Sequence, residues 1–273
     1  MKYFDQHLHT EFSFDSKENV ENYIAAAIER GAEYLVTTEH LEYDWKGDGS
    51  AEGKDLIPDF AAQKRLYERL SEKYPSITLM QGVEIGYQRK CRAEIKKVLA
   101  ENDFDLINMS VHDYKGTDLY FYDFEHDDPN EVLEYNFGRI VEAAASDIDY
   151  DVICHVDYAF RAAYEKNKNL KIDLYADFLK KIFSIVIDKD KALEINTKVQ
   201  QRIGDEAHTR KLLSLYKEAG GRALTLSDDA HRISNFMAEP EKYAAIIKEC
   251  GFDTLRFYIR RKPYDVKIEE LFR

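Results

Sequence analysis

The N-terminal stretch Lys2-Tyr3-Phe4-Asp5-Gln6-His7-Leu8-His9 places a short strand-like run, Lys2–Gln6, directly before two histidines. The same arrangement recurs down the chain. His40 follows the run Tyr34–Thr38, in Thr37-Thr38-Glu39-His40, and Glu84 follows Ile77–Val83. His112 comes after Asp105–Val111, and His155 after Asp151–Cys154. Asp229 and His231 follow Ala223–Ser227. Six expected strands therefore end in a residue type that binds metal ions, and Ala192–Ile195 makes a seventh strand without one. In a parallel α/β barrel the C-terminal strand ends share one face, where the loops build the active site. These residues, far apart in sequence, are expected to converge there.

Helical patterns separate the runs: Asn19–Arg30, Pro58–Tyr74, Arg89–Glu101, Glu131–Ala145, Asp173–Asp188, Glu206–Glu218 and Glu241–Lys248. Strands alternating with helices predict a parallel α/β fold with right-handed crossovers. The chain of 273 residues has five prolines, and no Pro/Gly/Ser-rich linker divides it. The expectation is one domain over residues 1–273. Glu42–Asp55 and Tyr114–Asn130 read as long loops of the kind that rim active sites.

Composition removes several function classes. Asp and Glu number 52 against 39 Lys and Arg, a formal charge of −13. A protein built for non-specific nucleic-acid or anionic-membrane binding needs basic surface, so neither partner is expected. A small anionic substrate in a local basic pocket remains compatible. The three cysteines are widely spaced with no Cys-x-x-Cys, which argues against a disulfide framework or a thiolate zinc site and for a reducing, cytoplasmic setting. The longest apolar run, Tyr23–Ile28, is far short of a membrane span. Asp5 and the histidines after it interrupt any leader-like pattern.

Residues i and i+2 of a strand share a face, so His7 with His9, and Asp229 with His231, can each face one cation. Nitrogen and carboxylate donors without thiolate suit zinc, manganese or iron. His126, in a charged loop, and His208, in a polar helical stretch, read as ordinary hydrogen-bonded histidines. Cys154 reads as a buried strand thiol turned away from the cluster.

These motifs resemble the PHP (polymerase and histidinol phosphatase) family, and within it the histidinol-phosphate phosphatases. The likeness runs in order through Asp5-x-His7-x-His9-Thr10-x-Phe12-Ser13-x-Asp15-Ser16, Thr38-Glu39-His40, Gly82-Val83-Glu84, Ser110-Val111-His112, Cys154-His155-Val156-Asp157, Glu194-Ile195-Asn196-Thr197 and Asp229-Ala230-His231. The resemblance implies a distorted, TIM-like (β/α)7 barrel carrying three divalent ions. Carried over, His7, His9, Glu84 and Asp229 would hold one ion. Glu84, His112 and His155 would hold a second, with Glu84 bridging. Asp15, His40 and His231 would hold the third, with Asp15 where many PHP proteins have a histidine. One segment departs from the phosphatases, which often carry Gly and Arg-Lys after the Asn-Thr pair. Here the run is Lys198-Val199-Gln200-Gln201-Arg202.

The resemblance implies hydrolysis of L-histidinol phosphate to L-histidinol and phosphate, a step of histidine biosynthesis. Clustered divalent ions suit that chemistry, because they lower the pKa of water and neutralise phosphoryl charge. The expected nucleophile is a hydroxide bridging the two ions that share Glu84, and Glu84, Asp229 and His231 are the expected catalytic residues. Arg161, Lys198, Arg202 and Arg232 follow strands five to seven and are candidates for binding phosphate. Asp113, Asp118 and Asp123 are candidates for the cationic end of the substrate, and Asp157 or a metal-bound water for the proton donor. The alternative is a PHP phosphoesterase acting on nucleotides or short oligonucleotides.

Overall fold

The computed structural model of the chain describes residues 1–47, 52–124 and 126–272. Its central sheet has seven strands: β1 (Tyr34–Trp45), β2 (Lys54–Leu56), β3 (Thr78–Gly86), β4 (Leu106–Ser110), β7 (Val152–Ile153), β8 (Ala192–Asn196) and β9 (Leu224–Ser227). They lie in the order β2-β1-β3-β4-β7-β8-β9. All neighbours are parallel except β2, which turns back antiparallel on β1. Two hairpins stand apart: β5 (Asp113–Tyr114) with β6 (Thr117–Asp118), and β10 (Thr254–Ile259) with β11 (Lys262–Lys267).

The N-terminal segment closes the sheet into the expected distorted barrel. Leu8 forms a parallel bridge to Ala230, just past β9. On its other side Thr38 N–H donates to the Leu8 carbonyl at 2.9 Å, while His9 N–H donates to Ala230 O at 2.8 Å. Lys2–Gln6 itself does not form the expected strand, because side chains take the places of ladder bonds there. Asp5 accepts from the backbone N–H groups of His7 and Asp228, at 2.8 and 3.0 Å. The Gln6 amide reaches the edge of β10, through Arg256 O and Tyr258 N. Such local competition with the ladder is what short polar side chains provide.

Three other expectations change. β1 runs on to Trp45, so His40 and Glu42 lie within a strand, and the expected loop Glu42–Asp55 starts in β1 and ends in the antiparallel β2; residues 48–51 lie outside the described ones. Helices not expected from the sequence follow β7 at Tyr158–Lys166 and β8 at Thr197–Ile203. The β10–β11 hairpin was not expected either. The remaining helices stand close to their expected bounds, with side-chain caps from Asn19, Asp59, Asp128 and Asp205. Each such cap is worth about 1 kcal/mol. No helix among the described residues is long and apolar enough to cross a membrane.

Two glycines let strands meet closely. A Cβ at Gly82 would sit 2.7 Å from Thr37 O and 3.1 Å from Leu106 O. One at Gly86 would collide with the Glu42 carboxylate. Only hydrogen at these positions allows β1 and β4 to flank β3, and leaves room for Glu42 beside it.

Candidate metal centre

The expected ligands meet, His40 and Glu84 from within β1 and β3 and the others from segments outside the strands. Glu84 is wholly buried at the centre. Its Oε2 lies 3.2 Å from His7 Nε2, 3.4 Å from His9 Nε2 and 2.9 Å from His40 Nδ1. Its Oε1 lies 3.1 Å from His112 Nε2 and 2.9 Å from His155 Nε2. Asp229 Oδ1 is 3.2 Å from His9 Nε2 and 4.0 Å from His7 Nε2. Toward the surface, Asp15 Oδ2 lies 3.0 Å from His231 Nε2 and 3.5 Å from His40 Nε2. All nine side chains expected as ligands are therefore brought together. His155 and Asp229 adopt positive φ, 22° and 53°, in a region that non-glycine residues rarely occupy. That strain is held at the functional end of the barrel.

The donor set fits divalent ions. Among the described residues, His7 Nε2, His9 Nε2, His40 Nδ1, Glu84 Oε2 and Asp229 Oδ1 are buried without a hydrogen bond of good geometry. Unpartnered buried polar atoms are costly, and here they all face one another. Four groups of ligand atoms lie close enough to hold an ion: His7, His9 and Asp229; His40, Glu84 and His112; His9, His40 and His231; and His7, His155 and Glu194. His40 thus presents one ring nitrogen to Glu84 and the other to Asp15 and His231, a dual position that the sequence did not suggest.

A second layer of carboxylates fixes the rings. His7 Nδ1 lies 2.7 Å from Glu194 Oε1, and Glu194 Oε2 accepts the His155 N–H at 2.9 Å. His112 Nδ1 lies 2.7 Å from Glu42 Oε1. A carboxylate on Nδ1 leaves Nε2 as the lone-pair donor toward a metal. Sequence reasoning quoted Glu194 within a motif and placed Glu42 in a loop, giving neither a role. The available signal was an acidic residue inside an otherwise apolar or aromatic strand.

Electrostatics follow from this packing. Burial works against charge on Glu84, but His7, His112 and His40 outweigh it and hold the carboxyl well below the usual range. Burial, reinforced by His40 and His231, pushes His9 well below an ordinary imidazole, toward the neutral form that binds metals. At His7 burial also lowers the pKa, but Glu194 and Glu84 outweigh it and raise it.

Above this cluster opens a cavity of ≈ 480 Å³. One wall is cationic. Arg161 is 2% exposed and lies over the Tyr158 ring at 3.6 Å, with no carboxylate ion pair among the described residues. Lys198 Nζ donates to Asp229 O at 3.0 Å and lies 3.3 Å from both Asp229 Oδ2 and His231 Nδ1. Asn196 caps the helix that carries Lys198. Arg232 lines the outer rim. Arg202 does not line the cavity; it pairs with Glu165 at 3.6 Å, about one helical turn beyond Lys198. Another stretch of wall is aromatic and acidic, with Phe14, Trp45, Tyr120, Phe121, Asp118 and Glu42, and it meets the cationic one at Tyr120, whose ring lies 6.0 Å from the Arg161 guanidinium. Trp45 Nε1 donates to Asp118 Oδ2 at 2.9 Å, and Phe14 lies against Trp45 at 4.9 Å. This wall was not anticipated beyond Asp118. Asp113 instead holds Gln88 and the Gly116 turn.

Two further expectations are corrected, those for Asp157 and Cys154. Asp157 is buried in a bond to His208 at 2.8 Å and to Gln200 at 2.7 Å, away from the cavity lining, so it is not placed to protonate a leaving group. His208 is thus the hydrogen-bonded histidine expected, though buried. Cys154 is a buried thiol, raised well above its usual pKa by burial and then by Glu194, but it interacts with His7 rather than turning away.

The sequence profile of the PHP domain matches residues 5–198. A probable histidinol-phosphatase of Clostridium acetobutylicum is 29% identical, with 96% of this chain and 99% of that protein aligned. A histidinol-phosphatase of Lactococcus lactis is 29% identical over 93% of this chain and 94% of its own length. The crystal structure of the Lactococcus lactis histidinol phosphate phosphatase, complexed with zinc, L-histidinol and phosphate, superposes with a TM-score of 0.83 at 24% identity. It covers 95% of this chain and 98% of that one. With the profile matching residues 5–198, well over half of the chain, this protein belongs to the PHP domain family.

Proposed function

We infer that the chain, as one domain over residues 1–273, is a metal-dependent histidinol-phosphate phosphatase releasing L-histidinol and phosphate. The observation that carries this reading is a single cavity with three unlike surfaces. Its floor is the buried cluster of histidines and carboxylates, one wall is Arg161 and Lys198, and the other is aromatic and acidic. A phosphate monoester that also carries an ammonium group and a flat imidazole ring is complementary to all three. Relatives that match almost end to end and are named histidinol-phosphatases support the same substrate.

Three divalent ions are proposed: one on His7, His9, Glu84 and Asp229, one on Glu84, His112 and His155, and one on Asp15, His40 and His231. Zinc, manganese and iron all suit these donors. When bound, such ions supply an ionisable water near neutral pH and neutralise phosphoryl charge. The chain's own residues do the rest. Glu84 faces both inner groups and holds them at fixed separation. Arg161 and Lys198 bind and orient the phosphoryl oxygens by charge-assisted hydrogen bonds. Phe14, Trp45 and Phe121 pack against the imidazole and exclude water, and Asp118 accepts from the substrate's ammonium group.

The test is phosphate release by the metal-loaded protein from histidinol phosphate, AMP and a short oligonucleotide, with elemental analysis of the same sample. Histidinol phosphate should have the highest kcat/KM, with two to three equivalents of metal per chain. Faster turnover of AMP or the oligonucleotide would favour the nucleotide reading, and less than one equivalent of metal would exclude the trinuclear centre.

A further inference from the structure

We propose that Ser13 and Glu39 are a positioning pair that selects which nitrogen of His9 faces the cluster and ties His9 to the His40 strand. The proposal rests on the metal-centre reading above. Its basis is a count of hydrogens. Glu39 is wholly buried on β1. Its carboxylate accepts from Thr10 N at 3.0 Å, Thr10 Oγ1 at 2.7 Å, Ser13 Oγ at 2.6 Å and Gln63 Nε2 at 3.0 Å. One donor on each oxygen, the Thr10 N–H and the Gln63 amide, is incapable of accepting. Gln63 is itself fixed, since its Oε1 accepts from Gln81 Nε2 at 2.7 Å.

Ser13 has a single hydroxyl hydrogen, and the 2.6 Å contact assigns it to Glu39. The two remaining contacts of Ser13 Oγ must then be donors to it. One is the backbone N–H of His40, at 3.1 Å, which only donates. The other is His9 Nδ1, at 3.2 Å. His9 therefore carries its proton on Nδ1 and its lone pair on Nε2. Nε2 is the atom that lies 3.2 Å from Asp229 Oδ1 and 3.4 Å from Glu84 Oε2 without a hydrogen bond of its own.

His7 and His112 have carboxylates directly on Nδ1. For His9 the carboxylate acts through a serine. The extra atom gives one hydroxyl two tasks, because it also accepts from His40, whose ring stacks on that of His9 at 4.0 Å and 13°. Ser13 thereby fixes the relative placement of two side chains that come from different segments. Neither Ser13 nor Glu39 lines the cavity, so both act through His9 and not on substrate.

The experiment compares the wild-type protein with Ser13→Ala and Glu39→Gln, each stripped of metal and titrated with zinc against a competing chelator. Loss of such an outer partner weakens metal binding by roughly 10–100-fold. Both variants should show that loss in at least one equivalent, and the double variant should lose little more than either alone. Imidazole nitrogen spectra of the stripped, histidine-labelled wild type, with His9→Gln as the assignment reference, should place the His9 proton on Nδ1. Zinc affinity unchanged in both variants would overturn the pair's role. So would a wild-type His9 proton on Nε2, a result available even if a variant fails to fold. A wild type that takes up no zinc would overturn the metal centre itself, and is read from the same titration.

Discussion

Across the parallel pair β1 and β3, His40 stands in register with Glu84, and its Nδ1 lies 2.9 Å from Glu84 Oε2. Alternation points both side chains into the barrel, and the shared register puts them at the same height. The same carboxylate contacts His7, His9, His112 and His155. A buried carboxylate that contacts five of the histidines links ligand groups that would otherwise be separate.

Glu84→Gln tests that link. The amide keeps the size and removes the charge. Metal occupancy should fall, and kcat should drop by at least about a hundredfold, as when an interaction needed mainly in the transition state is lost. Elemental analysis and kinetics on the same preparation check it; full metal with a near-wild-type rate would contradict the bridging role.

Arg161 and Arg202 separate a phosphate contact from a surface ion pair. Arg161 is buried at the cavity on the face of Tyr158, whereas Arg202 pairs with Glu165 outside it. Arg161→Ala should leave metal content intact and lower kcat/KM at least about tenfold, since a charged hydrogen bond is worth about 2 kcal/mol. Arg202→Ala should change kcat/KM little, because exposed ion pairs contribute less than about 1 kcal/mol. Equal effects from the two would show that the phosphate sits elsewhere.

Much of this site is legible in the sequence because a barrel collects its strand ends. His112, His155 and Asp229 follow β4, β7 and β9, His40 and Glu84 lie within β1 and β3, and His7 adjoins the Leu8 bridge that closes the barrel, so topology brings them together. What topology does not reveal is depth. Glu42 and Trp45 belong to a strand whose outer half is charged and aromatic because it walls the cavity, and that pattern reads as a loop. Arg202 fails for a related reason: the helix after β8 carries it one turn past the rim. Glu194 and Ser13 are visible as motif letters, but the partners His7 of Glu194 and Glu39 of Ser13 come from other segments and are not set by spacing.

The aromatic wall should govern KM for the organic half of the substrate. Trp45 is held by Asp118 and packed by Phe14 and Phe121. Trp45→Ala should raise KM for histidinol phosphate roughly fivefold, the size of about 1 kcal/mol of ring packing. It should leave kcat, metal content and hydrolysis of glycerol phosphate nearly unchanged. A parallel loss on glycerol phosphate would mean that the substitution disturbs the metal floor instead.

The buried pair Asp157–His208 should matter for stability rather than chemistry. Asp157 begins the helix that carries Tyr158 and Arg161, and His208 comes from the helix Glu206–Glu218 packed behind it. The two are 2.8 Å apart and nearly inaccessible, and Gln200 donates to the same carboxylate oxygen. Burial alone would raise the Asp157 pKa, but the bond from His208, its charge and the Gln200 amide outweigh it and hold the carboxyl below its usual value. A depressed folded-state pKa means that the pair's stabilisation is fully present above the unfolded pKa of about 4. It is lost as the pH falls through the lower, folded value. Breaking such a pair leaves a buried partner unmatched and costs about 3 kcal/mol. In this chain that corresponds to a fall in Tm of roughly 6–12 °C. Asp157→Asn should show this fall at pH 7 and a smaller gap from wild type in acid, with metal content unchanged. Thermal melts of both proteins between pH 3 and 7 measure it. A gap that widened in acid would mean that the carboxylate is not the stabilising form.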